Sequence, residues 1–419
     1  MAARPDDIRI DDLAAPVLSP AQQAAIAAAP AVSLTEDAVL GAAMQRTGLS
    51  DFGADDFRAR LRVWLASADE DAELNPLGRA TVFGNAVRVL ANRLRLEDLL
   101  RRHPEIRDVE IRAPIIIAGL PRSGTTHLVN LISTDARLRS LPYWESLEPF
   151  PAPDDVPGAD GVDPRLARCR QLYERQDRVL PRLRAMHHMT PEHVHEEIEV
   201  QELDFSTYNL EWYARVPRWR DWYLAADHRS SYAYLKTVLK ALKWLRGPDR
   251  WILKSPQHLE QLPALRETFP DATIVLTHRD PTAVIQSAIT MLAYGARIRR
   301  TRVDPHDIAT YWIDRIERLL SSCVRDRDVV PAAQSVDVRF HEFMADDVAM
   351  VERIYAVAGL PMTTEARARL DAFMVENPRG RWGRVIYDLR GDFGVEPAEL
   401  RRRFGFYFDR FGVRAEGED

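Results

Sequence analysis

Residues 114–133, PIIIAGLPRSGTTHLVNLIS, constrain the fold of this chain more than any other stretch. A β-branched run closed by Gly119 and Pro121 reads as a short, fully buried strand. Hydroxyls at Thr125 and Thr126, then Leu128, Val129, Leu131 and Ile132, read as a capped helix with an apolar face. A strand, a tight turn and a helix in that order leave the first-turn N–H groups converging on any anion placed there. The spacing of Gly119 and Gly124 is that of a nucleotide loop, G-x-x-x-x-G-K-[ST]. Here Thr125 stands at the lysine position, and Arg122 is the only basic residue of the loop. The plainer alternative is a structural β–α turn carrying a surface arginine.

Bulk properties narrow the choice. At 419 residues the chain exceeds a typical single domain, and 46% apolar residues suffice for a large core. A formal net charge of −6 argues against general nucleic-acid binding, which needs a basic excess, while a local basic pocket stays open. Cys169 and Cys323 lie far apart and suggest neither a disulfide framework nor a zinc site, which suits a reducing compartment. The acidic N-terminus has no apolar leader and no stretch is long enough to span a bilayer. The expectation is a cytoplasmic protein without stable membrane insertion.

Two regions differ in pattern. Residues 1–105 read as helices, with no strand and no chemistry, whose faces offer a surface for homo-oligomers or another partner. From residue 106 to 419, strands alternate with helices: IIIAG, RWILK (250–254), TIVLTH (273–278) and SVDVRF (335–340). That alternation predicts an α/β domain with a parallel sheet covered on both faces, a P-loop-like three-layer core plus the N-terminal helical region.

In parallel sheets, ligands sit beyond the carboxyl ends of the strands. Three such ends offer Arg122, Lys254 and Arg279 to one crevice, which suits a multiply anionic ligand. Ser287 falls eight residues after Arg279, on nearly the same helical face. Singly, each is as well explained by a local ion pair or an ordinary helix hydroxyl.

Taken together, GLPRSGTT, then LKSPQH, then THRDPTAVIQS resemble the signature order of sulfotransferases that use 3′-phosphoadenosine 5′-phosphosulfate (PAPS). The loop is closest to the bacterial branch with Pro-Arg-Ser-Gly-Thr-Thr. The likeness runs from about Ile111 to the C-terminus, through LPYWESL, VDVRFHEF and NPRGRWGRVIYDL. It implies that Arg122, Ser123, Gly124, Thr125 and Thr126 cradle the 5′-phosphosulfate. It also implies that Arg279 and Ser287 hold the 3′-phosphate, with Arg381 and Arg384 of a basic loop directed at the same group. PAPS would leave as adenosine 3′,5′-bisphosphate (PAP), and the resemblance implies no metal.

Sulfuryl transfer is an in-line displacement in which positioning and charge stabilisation do most of the work. Negative charge grows on the departing bridging oxygen, where Arg122 and Lys254 are the cations placed to meet it. For the base that takes the acceptor proton, the candidates are His258 and Glu197, then Glu145. His258 lies four residues after Lys254, whereas many relatives place a histidine two after that lysine, where Pro256 stands here. Glu196 and Glu197 begin a helix expected to line the pocket. Each acid or histidine alone reads equally as a cap or an ion-pair partner.

The run HHMTPEHVHEE (187–197) invites a metal reading, but it lacks the H-E-x-x-H order and its histidines fall on different faces. Dense aromatics over residues 205–234 serve either as packing for a helical cap or as an apolar acceptor pocket. The expectation is a PAPS-dependent transfer to a hydroxyl or amine of a small apolar or aromatic acceptor. A P-loop small-molecule kinase is the runner-up, weakened by Thr125, and a non-catalytic nucleotide scaffold is the third reading.

Overall fold

A computed structural model describes residues 7–378 and 383–417. Its strands are β1 Asp7–Ile8, β2 Ile115–Gly119, β3 Leu138–Arg139, β4 Arg250–Lys254, β5 Thr273–His278, β6 Ser335–Arg339 and β7 Arg384–Val385. Five form one sheet in the order β3-β4-β2-β5-β6, and every pairing in it is parallel. The four apolar runs read from sequence are all strands of this sheet. β6 stops one residue early, because Phe340 opens the helix Phe340–Ala345.

Alternation along each strand divides the core. Ile115 and Ile117 of β2, Ile252 of β4, Val275 of β5 and Val336 and Val338 of β6 pack on one face. The helices Thr125–Ile132, Asp347–Val357 and Thr364–Glu376 cover that face through Leu128, Ile132, Ile354 and Leu370. Ile116, Ala118, Leu253, Ile274 and Leu276 point to the other face and enter a larger cluster. A strand with period 2 buried on both sides must read as an unbroken apolar run, which is why these strands were visible. The result is the P-loop-like, three-layer α/β core.

The N-terminal helices Pro20–Ala27, Glu36–Thr47, Phe57–Asp71 and Pro76–Arg102 agree with the helical reading. Helix Pro76–Arg102 begins with Asn75, whose side chain accepts from Gly78 N–H at 2.9 Å, and ends just before Pro104. Leu61, Trp64, Val89 and Leu94 of these helices belong to the same cluster as Ile116 and Leu276 of the sheet. The change of pattern near residue 105 therefore does not interrupt the packing.

One expectation fails here. β1 lies in the region read as strand-free, where it pairs in parallel with β7. Two-residue strands carry no period, so nothing in the pattern could reveal β1, β3 or β7. Among the described residues no helix is long and apolar enough to cross a membrane, and Cys169 and Cys323 are buried free thiols.

Candidate active site

The loop between β2 and helix Thr125–Ile132 is held by close approach and by two left-handed residues. A Cβ at Gly119 would come 1.7 Å from Thr277 Oγ1 of β5, so only glycine fits. Ser123 Oγ donates to Leu120 O at 2.6 Å and lies 2.8 Å from Thr277 Oγ1, tying the loop to the sheet edge. Gly124 has φ 85° and Arg122 φ 69°. The second costs an L-residue roughly 1–2 kcal/mol. Arg279 Nη1 donates to the Arg122 carbonyl at 2.5 Å and holds that turn.

Two cavities meet at this loop. One, of about 460 Å³, is lined by Arg122, Gly124, Thr125, Thr126, Arg279 and Phe340, among others. The other, of about 270 Å³, is lined by Tyr143, Glu196, Glu199, Tyr208, Trp212 and Tyr213, among others. Arg122, Thr125, Thr126 and His187 belong to both walls. The first turn of helix Thr125–Ile132 thus opens onto the junction, where its N–H groups and positive helix end favour an anion.

Arg122 donates from Nε to Ser287 Oγ at 3.0 Å, and Ser287 Oγ lies 2.9 Å from the Tyr387 hydroxyl. Burial, more than the neighbouring Arg279, pulls the Arg122 guanidinium below its usual pKa. No carboxylate lies within ion-pair distance of it among the described residues. Arg279 stacks on Phe340, 4.0 Å from the ring centre, and makes a two-pronged pair with Glu416, Nε–Oε1 at 2.7 Å and Nη2–Oε2 at 2.8 Å. Glu416 is itself fixed, its N–H donating to Asp280 Oδ2 at 2.9 Å and its carbonyl accepting from Arg401 Nη2 at 2.6 Å.

The other site expectations separate. Arg384 sits on β7 with an exposed side chain and does not line either cavity, though Gly383 lines the larger one. Arg381 lies outside the described residues. Lys254 is buried at the end of β4, where its ammonium is ion-paired with Glu196, so its charge reaches the smaller cavity only behind that carboxylate.

None of the three base candidates lines the smaller cavity. His258 and Glu197 are each sealed from solvent, and they bond one another, Nε2–Oε1 at 2.6 Å. His258 Nδ1 lies 2.8 Å from the Tyr232 hydroxyl, and Glu197 Oε2 accepts from Lys254 N–H at 2.6 Å. With both ring nitrogens and both carboxylate oxygens engaged, the pair braces the end of β4. Glu145 is buried between Arg139, at 2.8 Å, and Arg246, at 2.6 Å. From LPYWESL it is Tyr143, two residues earlier, that reaches the cavity.

Glu196, adjacent to the candidate Glu197, lines the smaller cavity, as do Glu199 and Asp177. Period 3.6 could not choose between neighbours in a segment that forms only the four-residue helix Ile198–Gln201. His187 was read only as a metal candidate. Burial first, then Arg122, His195, Lys254 and His193, hold its pKa well below the usual value, so the ring is neutral. Among the described residues no three His, Cys, Asp or Glu side chains group as a metal would require. The aromatic run divides: Tyr208, Trp212 and Tyr213 line the cavity, whereas Trp219, Tyr223 and Tyr232 are core.

A second acidic pair runs from the cavity wall, at Glu199, to Glu202 behind it. Glu199 is met by Arg88 at 3.3 Å and His195 at 3.5 Å. Burial raises its pKa, and those two partners more than offset that. Glu202, held by Arg88 at 2.7 Å, is pushed up to about 7 by burial and by Glu199. Arg88 belongs to helix Pro76–Arg102, so the region read as free of chemistry supplies the cation that meets this pair.

A glycine-loop cavity that meets an aromatic one beyond the strand ends of a parallel sheet is the layout of an α/β protein with two adjoining ligand sites. The chain belongs to the sulfotransferase family, matched over residues 114–364. It is similar to sulfotransferase STF9 from Mycobacterium avium at 26% identity and a TM-score of 0.80, over 92% of this chain and 99% of that one. It is also similar to sulfotransferase STF1 from Mycobacterium tuberculosis H37Rv at 27% identity and a TM-score of 0.74, over 89% of this chain and 98% of that one. No curated protein sequence matches significantly. The protein is therefore a sulfotransferase, and membership of the family implies PAPS as donor.

Proposed function

We propose that this enzyme moves a sulfuryl group from PAPS to a hydroxyl or amine of a small apolar or aromatic acceptor by in-line displacement. The observation that carries the reading is the meeting of the two cavities at Arg122, Thr125, Thr126 and His187. The larger cavity takes the nucleotide. The first-turn N–H groups and Arg122 receive the 5′-phosphosulfate, and Arg279 receives the 3′-phosphate once it has exchanged Glu416 for that group.

In the reaction, the acceptor oxygen forms a bond to sulfur as the bond from sulfur to the phosphate oxygen breaks. The electron pair of that bond leaves on PAP, whose new charge faces Arg122 and, across the junction, Lys254. The acceptor proton passes to Glu196, the carboxylate of the smaller cavity nearest the lysine. A second reading gives this proton to the neutral His187, favoured by its place on both walls.

Calorimetry tests the donor assignment: PAP should bind in the presence of EDTA, and magnesium-ATP should not compete. Competition by magnesium-ATP at equal affinity would return the kinase reading.

A further inference from the structure

Buried arginines in this protein are met by carboxylates. Arg315 lies 2.6 Å from Glu211 and 2.7 Å from Glu260, and Arg139 and Arg88 have Glu145 and Glu202. An uncompensated cation in a low-dielectric interior is costly, so this is the ordinary arrangement. Arg299, half-buried where it lines a cavity, has no such partner among the described residues. The one side-chain hydrogen bond it makes to described residues runs from Nε to Gly295 O, at 3.3 Å, in its own turn. Burial pulls its pKa below the usual value.

Its position is built. Arg299 follows helix Pro281–Ala296, and its carbonyl accepts from Asn75 N–H at 2.9 Å. Asn75 Nδ2 donates to the flanking carbonyls of Ile298 at 3.1 Å and Arg300 at 3.3 Å. A Cβ at Gly78 would come 2.1 Å from Arg299 O, so a glycine in the first turn of helix Pro76–Arg102 permits the approach. The side chain lines both the 270 Å³ cavity and a smaller annex of about 50 Å³ beside Trp212, Tyr213 and Trp312.

Asp177 lines the 270 Å³ cavity with no ion pair among the described residues, but the other acids near Arg299 are satisfied already. Glu196 is paired with Lys254, and Glu199 with Arg88 and His195. Glu211 is held by Arg315 and by the Tyr311 hydroxyl at 2.6 Å, and Asp307 by Arg215 at 3.1 Å. Among the described residues that line the 460 and 270 Å³ cavities, one other half-buried arginine is similarly without a carboxylate at ion-pair distance, Arg122, which the proposed reading assigns to the donor anion.

We propose that Arg299 receives an oxyanion of the acceptor, so that the substrate is a hydroxylated aromatic or apolar compound carrying a carboxylate, sulfate or phosphate. This rests on the reading of the smaller cavity as the acceptor site. The guanidinium offers a planar fork to such a group while Trp212 and Tyr213 take the ring or chain.

The test uses PAP-loaded enzyme titrated with 2-naphthoate, 2-naphthyl phosphate and neutral 2-naphthamide. At least one anion should bind about tenfold or more tighter than the amide, the scale of a charge-assisted hydrogen bond. The better of the two identifies the kind of oxyanion. Arg299→Gln should abolish that preference and leave the amide unchanged, and Arg299→Lys should keep part of it. Equal affinities in the unaltered enzyme, no binding of either anion, or a preference that survives Arg299→Gln overturns the inference. Binding of PAP alone is read in the same cell, so failure of the donor reading is seen separately.

Discussion

The two cavities are built on opposite plans. In the cavity proposed for the donor, the candidate anion ligands come from one contiguous motif and one strand end, although its wall also draws on residues 185–193, 340–344 and 373–378. The acceptor cavity is made of side chains from separate segments, and most of its charges are spent on one another. A backbone cradle binds ground state and transition state alike. Discrimination and rate must then come from the few side chains that face the junction.

The sharpest way to break this comparison is to remove the base. Glu196→Gln keeps the size of the side chain and a hydrogen-bond acceptor for Lys254. Single-turnover transfer should fall by about 10²–10⁴-fold, the range of general-base catalysis, with PAP affinity little altered. The paired variant is His187→Gln. If that one takes the larger loss, the proton acceptor sits on the shared wall and not in the acceptor cavity.

Next in size is Arg122→Ala. Charge on the leaving oxygen exists only as the sulfur–oxygen bond breaks, so this side chain should affect rate more than binding. Turnover should drop on the order of a hundredfold, as for a lost oxyanion donor, and Arg122→Lys should retain a good part. Equal losses in nucleotide affinity and single-turnover rate would make Arg122 part of the cradle and pass its role to Lys254.

The same contrast explains what the sequence could reveal. Strands buried on both faces announce themselves as apolar runs, and the donor loop is contiguous with one of them, so residues 115–126 were legible almost completely. The acceptor side depends on which neighbour faces inward: Glu196 and not Glu197, Tyr143 and not Glu145. That choice is made by the pairing of Glu197 with His258 and of Glu145 with Arg139, contacts across 61 and 6 residues. Arg299 was equally hidden, since its distinction is a missing partner, and absence of a carboxylate in space leaves no mark in the chain.

A smaller effect follows from pH. His187 and His193 both line the donor cavity, and burial followed by nearby cationic or histidine side chains pulls both down, His193 to about 3. In the unfolded chain each would titrate near 6.5, so unfolding takes up protons below that pH. Stability is then full above about pH 6.5 and falls as the pH drops, by up to about 1.4 kcal/mol per pH unit for each ring. Thermal melts between pH 7 and 4.5 should show this slope, and His187→Gln with His193→Gln should flatten it. PAP should flatten it as well, because its anions offset the arginines beside the rings. A slope untouched by both would place the acid-sensitive groups elsewhere.

The smallest effect concerns Glu416. Its carboxylate grips Arg279 with the geometry a phosphate would use, and the pair is partly exposed, at 36% for Glu416 and 23% for Arg279. Exposed pairs contribute little, so removing the competitor should tighten PAP binding by about two- to fivefold. Glu416→Gln is the suitable change, since the backbone bonds to Asp280 and Arg401 stay in place. The analogue lacking the 3′-phosphate has nothing to exchange for the carboxylate, so its affinity should not move. Arg279→Ala should act in the reverse direction, weakening PAP and sparing that analogue. Calorimetry with both nucleotides on both variants decides the matter. If Glu416→Gln loosens PAP, or shifts the two nucleotides equally, the Arg279–Glu416 pair supports the fold, and the 3′-phosphate is held by other residues of the donor wall.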